Sequence, residues 1–213
     1  MSVSDDKTDA TNPHKLKAFS ADESTGELAE IDQEIVPNNP KKVSIHPSGR
    51  FVYLARSGGG DNIIELYAVN LSDGSLTPVD STVGTGTSLA DVKVSHDGRY
   101  LFAGYGSKVV ESYSIDQETG RLTLVANRNA STSQTFPIAM FAHPTLPFIY
   151  ASESRRGLHG FKYNNSDLTQ VPGSPKGGCI FLRAPSCSPT TWRRPVTGSS
   201  SSLPTLPLWE GEW

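Results

Sequence analysis

A unit recurs along this chain about every 47 residues, the length at which repeats of short strands build propeller blades. Phe19, Tyr67, Tyr113 and Phe161 each precede a leucine: Leu28, Leu76, Leu122 and Leu168. Glycine stands two residues before the first three leucines, at Gly26, Gly74 and Gly120. A second station alternates with the first. It reads Ile45-His46-Pro47-Ser48-Gly49-Arg50-Phe51, then Val94-Ser95-His96-Asp97-Gly98-Arg99-Tyr100, then Ala142-His143-Pro144-Thr145-Leu146-Pro147-Phe148. Such a period restricts the chain to an all-β β-propeller of four-stranded blades. The chain supplies about three and a half blades, whereas seven at this period need about 330 residues, so the propeller is expected to be incomplete.

Within a unit the strands follow from alternation and turn chemistry. Residues 91–96 place Val92 and Val94 on one face, and Asp97-Gly98 signals a hairpin into residues 99–104. Residues 109–116 and 122–128 complete that blade around Thr119-Gly120. The unit before it gives strands at 42–46, 51–55, 63–70 and 76–82; the unit after it gives 139–143, 148–152, 158–163 and 168–171. Phe51 and Tyr53, like Tyr100 and Phe102, project from one strand face and are expected between blades. Gly49 and Gly98 suit the positive φ of a tight hairpin, and Gly58-Gly59-Gly60 reads as a hairpin tip. No stretch sustains helical spacing.

Three segments emerge. Residues 1–14 are polar and aperiodic, a disordered lead; 15–178 carry the blades; 179–213 form an aberrant Ser/Pro/Trp-rich tail. All three tryptophans and both cysteines fall in that tail. Where a further His-Pro-Gly-Arg station is due, the chain reads Cys187-Ser188-Pro189-Thr190-Thr191-Trp192. A degenerate blade and a shifted reading frame near residues 178–186 compete as explanations, and the change in composition favours the shift. The nucleotide sequence around codon 178 decides between them, an intact frame sinking the second.

Composition excludes several function classes. A net charge of −3 without a basic stripe argues against nucleic acid. No apolar run approaches membrane-spanning length, and the polar opening lacks a signal-peptide core, so a cytoplasmic protein is expected. Cys179 and Cys187 form neither a disulfide framework nor a metal pair, no His/Cys cluster has metal-ligand spacing, and no cofactor is expected. An open arc of blades would leave apolar faces uncovered, which makes self-association through them a candidate interaction.

The reading of residues 91–107, DVKVSHDGRYLFAGYGS, resembles the second blade of the lactonase-type seven-bladed propellers. That family includes bacterial 6-phosphogluconolactonase and the fungal carboxymuconate-lactonizing enzyme. Residues 39–53 resemble its first blade, and 15–28 its opening strand with the Thr-Gly-x-Leu turn. The resemblance implies a carboxylic-ester hydrolase that opens a small sugar-acid lactone such as 6-phosphogluconolactone. Its polar signatures are altered here. Arg56-Ser57 replace Asn-Glu, Asp91 replaces a histidine, and Pro137-Ile138-Ala139 replace Pro-Arg-His. Glu153 follows His143 by ten residues where the family has eleven. Lactone opening requires a base to activate water and cations for the developing oxyanion or a phosphate. The candidates are Glu153, Asp91 and His143 as acid/base groups, with Arg155 and Arg156 as anion binders. A non-catalytic binding propeller and an inactive truncated product remain the alternatives.

Overall fold

The computed structural model describes residues 2–3, 13–37, 39–58, 60–107, 109–129, 137–153, 157–165 and 167–174. All lie in the compact unit Met1–Phe181; the second unit, Leu182–Trp213, and with it the tail boundary expected at 178/179, falls outside the described residues. The described residues form fifteen strands and no helix. β4 (Pro40–Ile45), β5 (Phe51–Gly58), β6 (Asp61–Val69) and β7 (Leu76–Val83) make the first blade, a meander of antiparallel neighbours. β8 (Leu89–Val94), β9 (Tyr100–Tyr105), β10 (Val109–Ile115) and β11 (Leu122–Asn129) make the second. β12 (Pro137–Ala142), β13 (Phe148–Glu153), β14 (Gly157–Tyr163) and β15 (Leu168–Gln170) make the third. The propeller architecture expected from the period is therefore present and incomplete.

β2 (Lys15–Ala21) and β3 (Leu28–Ile35) form a part-blade. The register of β2 slips between Ala18 and Phe19, as that of β6 does at Leu66/Tyr67 and that of β10 at Ser112/Tyr113. β2 and β3 are thus the third and fourth strands of a blade. Among the described residues their inner edge carries only β1 (Ser2–Val3), paired with Lys17 and Leu16. These two residues belong to the lead read from sequence as disordered; at that point the lead is a strand.

Every strand expected in the full blades is found, but each innermost strand begins earlier than alternation suggests. β4, β8 and β12 start at Pro40, Leu89 and Pro137, and each has a register shift immediately afterwards, at Pro40/Lys42, Leu89/Asp91 and Pro137/Ala139. A bulge breaks the two-residue alternation, so periodicity cannot see past it. The turns between third and fourth strands have a local cause. The Asp22 carboxylate accepts the Ser24 and Thr25 N–H groups, and the Asp116 carboxylate accepts those of Glu118 and Thr119. The Ser24 hydroxyl also donates to Asp22, and this bond with the two N–H bonds favours the ionised form and holds the Asp22 carboxyl down at about 2.

Blades are joined face to face. Phe51, Tyr53 and Ala55 of the first blade bury against Leu101, Ala103 and Tyr105 of the second. Tyr100 and Phe102 of the second bury against Ile149, Ala151, Phe161 and Tyr163 of the third. Polar ties accompany the apolar contact. Tyr53 Oη donates to the Gly120 carbonyl at 2.8 Å, and His46 Nε2 donates to the Gly98 carbonyl at 2.9 Å. Ser48 N–H donates to His46 Nδ1, which fixes the Nε2–H tautomer. Two glycines permit this approach. Gly98 and Gly120 have φ of +72° and +74°, and a Cβ there would stand 2.5 Å from His46 and 2.7 Å from Phe51. Gly120→Ala should therefore meet both left-handed backbone strain and overpacking, destabilising by about 2–4 kcal/mol in urea unfolding. Gly60→Ala, also at positive φ but with open space at its Cβ, should incur only the backbone strain, about 1–2 kcal/mol.

Candidate functional site

The innermost strands β4, β8 and β12 run side by side and bring the polar residues of three repeats onto one wall. Lys42, Asp91 and Ala139 occupy equivalent places, each just past the bulge and four residues before His46, Ser95 and His143. Asp91 is 6% exposed, and its Oδ2 accepts the Met140 N–H at 2.7 Å across the boundary to the third blade. Burial pushes its carboxyl above the usual carboxylate range, against the opposing pull of the Met140 N–H and of Lys42 and Lys93. A carboxyl so placed holds a proton more readily than an exposed one, and two ammonium groups act on its charge.

Asp91 and His143 do not meet. Asp91 sits near the start of β8, whereas His143 follows the end of β12 and borders a cleft of about 440 Å³ with Lys93, His96, Ser44 and Ser95. His143 Nδ1 accepts the N–H groups of Thr145 and Leu146 at 3.2 and 3.1 Å, which leaves its proton on Nε2. That is the arrangement of His46, whose Nε2 ties one blade to the next. The acid/base role expected for His143 thus competes with a turn-holding one. His96 is half-buried, with Nδ1 3.2 Å from Tyr163 Oη.

Glu153 ends β13, where its backbone is paired with Pro137 and Gly157. Its side chain, and Arg155 and Arg156 entirely, lie outside the described residues. The β13 register is regular; the irregularity lies opposite, in β12. Glu153 consequently stands at the register position of Arg56 in β5 and Tyr105 in β9, each opposite the first residue of its inner strand.

That position has a diagonal neighbour in the third strand of every blade, which the sequence reading missed. In the first blade Arg56 Nε pairs with Glu65 Oε1 at 2.7 Å, and Tyr67 Oη donates to Glu65 Oε2 at 2.9 Å. In the second blade Tyr105 replaces the arginine. Glu111 is fully buried there, its Oε1 accepting the N–H and hydroxyl of Thr85 and its Oε2 accepting Tyr113 Oη at 2.5 Å. Burial pushes the Tyr105 and Tyr113 phenols up, so both keep their protons beside the carboxylate. In the third blade the positions belong to Glu153 and His159. The signal lay in the sequence as Glu65-x-Tyr67 and Glu111-x-Tyr113, a carboxylate two residues before the aromatic stations of the first two full blades. No group of three His, Cys, Asp or Glu suited to a metal occurs among the described residues. Nor is any helix among them long and apolar enough to cross a membrane.

The raised Asp91 carboxyl has a consequence for stability. The folded chain holds this proton more tightly than the unfolded chain, so protonation favours folding. Its stabilising contribution is greatest below the ordinary carboxylate value and falls as pH rises through the elevated folded value. Asp91→Asn keeps an acceptor for Met140 and removes the titration. Denaturation midpoints measured from about pH 4 to about pH 7 should fall less steeply in this variant than in the parent.

A scan against protein families matches residues 6–137 to "Lactonase, 7-bladed beta-propeller". A search of the curated proteins finds no significant match. Among solved structures, the periplasmic gluconolactonase PpgL of Pseudomonas aeruginosa is 21% identical with a TM-score of 0.64, the match covering 83% of this chain and 52% of that one. A putative 6-phosphogluconolactonase of Bacteroides fragilis is 18% identical with a TM-score of 0.64, covering 80% and 51%. Another from Bacteroides uniformis is 21% identical with a TM-score of 0.62, covering 74% and 49%. The chain spans about half the length of these proteins, and the likeness carries the fold. With three blades and a part-blade in place and more than half of its residues matched to one family, the chain belongs to the lactonase seven-bladed β-propeller family.

Proposed function

We propose that this chain supplies part of a lactonase that opens a sugar-acid lactone such as 6-phosphogluconolactone. The observation that carries the reading is the Asp91 carboxyl: buried in the inner wall, raised by that burial, and acted on by Lys42 and Lys93. A carboxylate with a raised pKa is a better base toward water than an exposed one. In the proposed reaction Asp91 takes a proton from water as the water oxygen bonds to the lactone carbonyl carbon. The tetrahedral oxyanion is stabilised by the ammonium groups of Lys42 and Lys93. Collapse breaks the ring C–O bond, the departing alkoxide recovers the proton, and the product is the open hydroxy acid. A phosphate on the substrate would add a second anion for the same lysines or for Arg155 and Arg156. Glu153, at the end of β13 opposite the start of β12, is the second candidate base.

One observation favours the non-catalytic alternative. The polar atoms that would do chemistry are partly committed: Asp91 Oδ2 to Met140 N–H and His143 Nδ1 to its own turn. Hydrolysis of 6-phosphogluconolactone and of gluconolactone, each followed against spontaneous ring opening, separates the readings. The lactonase reading expects a rate above background, a fall in kcat of about 10²–10⁴-fold in Asp91→Asn, and a KM raised by Lys93→Met more for the phosphorylated lactone. A rate equal to spontaneous opening for both lactones would leave the chain a binding or inactive product.

A further inference from the structure

We propose that Asn62 and Glu111 are positioning residues for Asp91, acting through the strap of residues 84–88 that leads into its strand. The inference rests on the reading of Asp91 as the base that activates water, and its test does not require that reaction.

The strap joins β7 to β8 and so crosses from the first blade to the second. Its backbone is held from both sides. Gly84 N–H donates to the Asn62 carbonyl at 2.9 Å, and Leu89 N–H, just past the strap, donates to Asn62 Oδ1 at 2.7 Å. Between them the N–H and hydroxyl of Thr85 donate to Glu111 Oε1. Thr87 N–H donates to Ser107 Oγ at 3.0 Å, and the carbonyls of Thr87 and Ser88 accept the N–H groups of Ser107 and Gly106. The two clamping side chains are themselves fixed. Asn62 is 7% exposed and Glu111 fully buried. Asn62 Oδ1 also accepts the Ser57 hydroxyl at 3.0 Å, and Glu111 Oε2 accepts Tyr113 Oη at 2.5 Å. Gly84 and Gly86 lie so near the buried Tyr105 that a Cβ on either would collide with its side chain.

The clamps hold a segment that is costly to hold. Ser88 has φ of +61°, a left-handed conformation that a residue with a Cβ adopts only under constraint. The bulge between Leu89 and Asp91 follows at once. These two irregularities in succession aim Asp91 Oδ2 at the Met140 N–H and set its place beside Lys42 and Lys93. A slip of one residue at the bulge would turn Asp91 to the opposite face of β8.

The first blade has the same backbone with different chemistry. Asn39 is left-handed there too, at φ of +46°, and the bulge falls between Pro40 and Lys42. Pro40 stands where Leu89 does and has no N–H to pin. The carboxylate of Glu65, at the place of Glu111, pairs with Arg56 instead of the chain before the inner strand. In the third blade Pro137 heads the inner strand, His159 takes the place of Glu111, and Ala139 that of Asp91. Among the described residues the two clamps therefore occur together in the blade whose inner strand carries an acid just past its bulge.

Carboxyl carbon NMR of the full chain tests this, with the Asp91 resonance identified by its loss in Asp91→Asn. In Glu111→Ala and in Asn62→Ala the Asp91 titration should move down toward the ordinary carboxylate value, because the loosened strand start admits water. Hydrogen exchange at the Met140 amide should quicken by about 10–100-fold. Glu111→Gln should restore both to the parent values, since its amide oxygen still accepts from Thr85 and its NH2 can donate to Tyr113 Oη. Glu65→Ala, the same truncation in the first blade, should leave both unchanged. If Glu111→Ala fails to fold, Thr85→Val, which removes only the hydroxyl bond, should shift both in the same direction by less. These shifts support the positioning whether or not the parent chain hydrolyses a lactone. Where it does, kcat should fall in Glu111→Ala with KM unchanged. An Asp91 titration and a Met140 exchange rate left at the parent values by both Glu111→Ala and Asn62→Ala overturn the proposal, even in a chain with lactonase activity. So do shifts of equal size in Glu65→Ala, which would mark a general loosening of the fold.

Discussion

Everything in this molecule depends on one blade lying on the next. A four-stranded sheet of this width has two faces to bury and no second layer of its own, so the only cover available is its neighbour. The cover is directional. Phe51 and Tyr53 leave the first blade from one face and meet Leu101, Ala103 and Tyr105 on the opposite face of the second. Burial of each large side chain contributes about 1.5–3 kcal/mol relative to exposure. The polar ties from Tyr53 and His46 set the spacing, since Gly98 and Gly120 leave no room for another side chain between the blades.

The same boundary carries the chemistry. The bulge near the start of each inner strand puts Lys42, Asp91 and Ala139 in one row, so a single repeat position holds a cation, an acid and a methyl group in successive blades. Asp91 accepts the N–H of Met140 in the neighbouring inner strand and is shielded from water by doing so. Its two features, an interblade bond and a raised carboxyl, have one cause. A second row, toward the end of the second strand, varies in the same manner, with Arg56, Tyr105 and Glu153 at positions diagonal to Glu65, Glu111 and His159. Repeat positions with a fixed backbone and changing side chains allow one architecture to hold different chemistries.

Much of the fold was legible because its signals are local. Alternation, Asp-Gly and Thr-Gly turns, and paired aromatics depend on residues two to four apart, and they located the twelve strands of the full blades. The inner-strand starts were illegible because a bulge cancels alternation where it occurs. The site was less legible. Asp91 could be singled out by its place in the repeat, but its proximity to Lys42 arises from strands 49 residues apart in sequence. His143 could be singled out by its His-Pro station, but the bonds to Thr145 and Leu146, and the parallel with His46, exist only in the folded chain.

The sequence by itself determined the period, the all-β architecture, the turn positions and the family, since each rests on short-range pattern repeated down the chain. Only the tertiary structure decided which side chains are ties and which are available for chemistry. That distinction depends on what a neighbouring blade places against each residue. Where a described neighbour exists, His46, Tyr53 and Asp91 are engaged across the boundary; on the outer face of the third blade, His143, Phe148 and Tyr150 are half-buried and meet no further blade among the described residues.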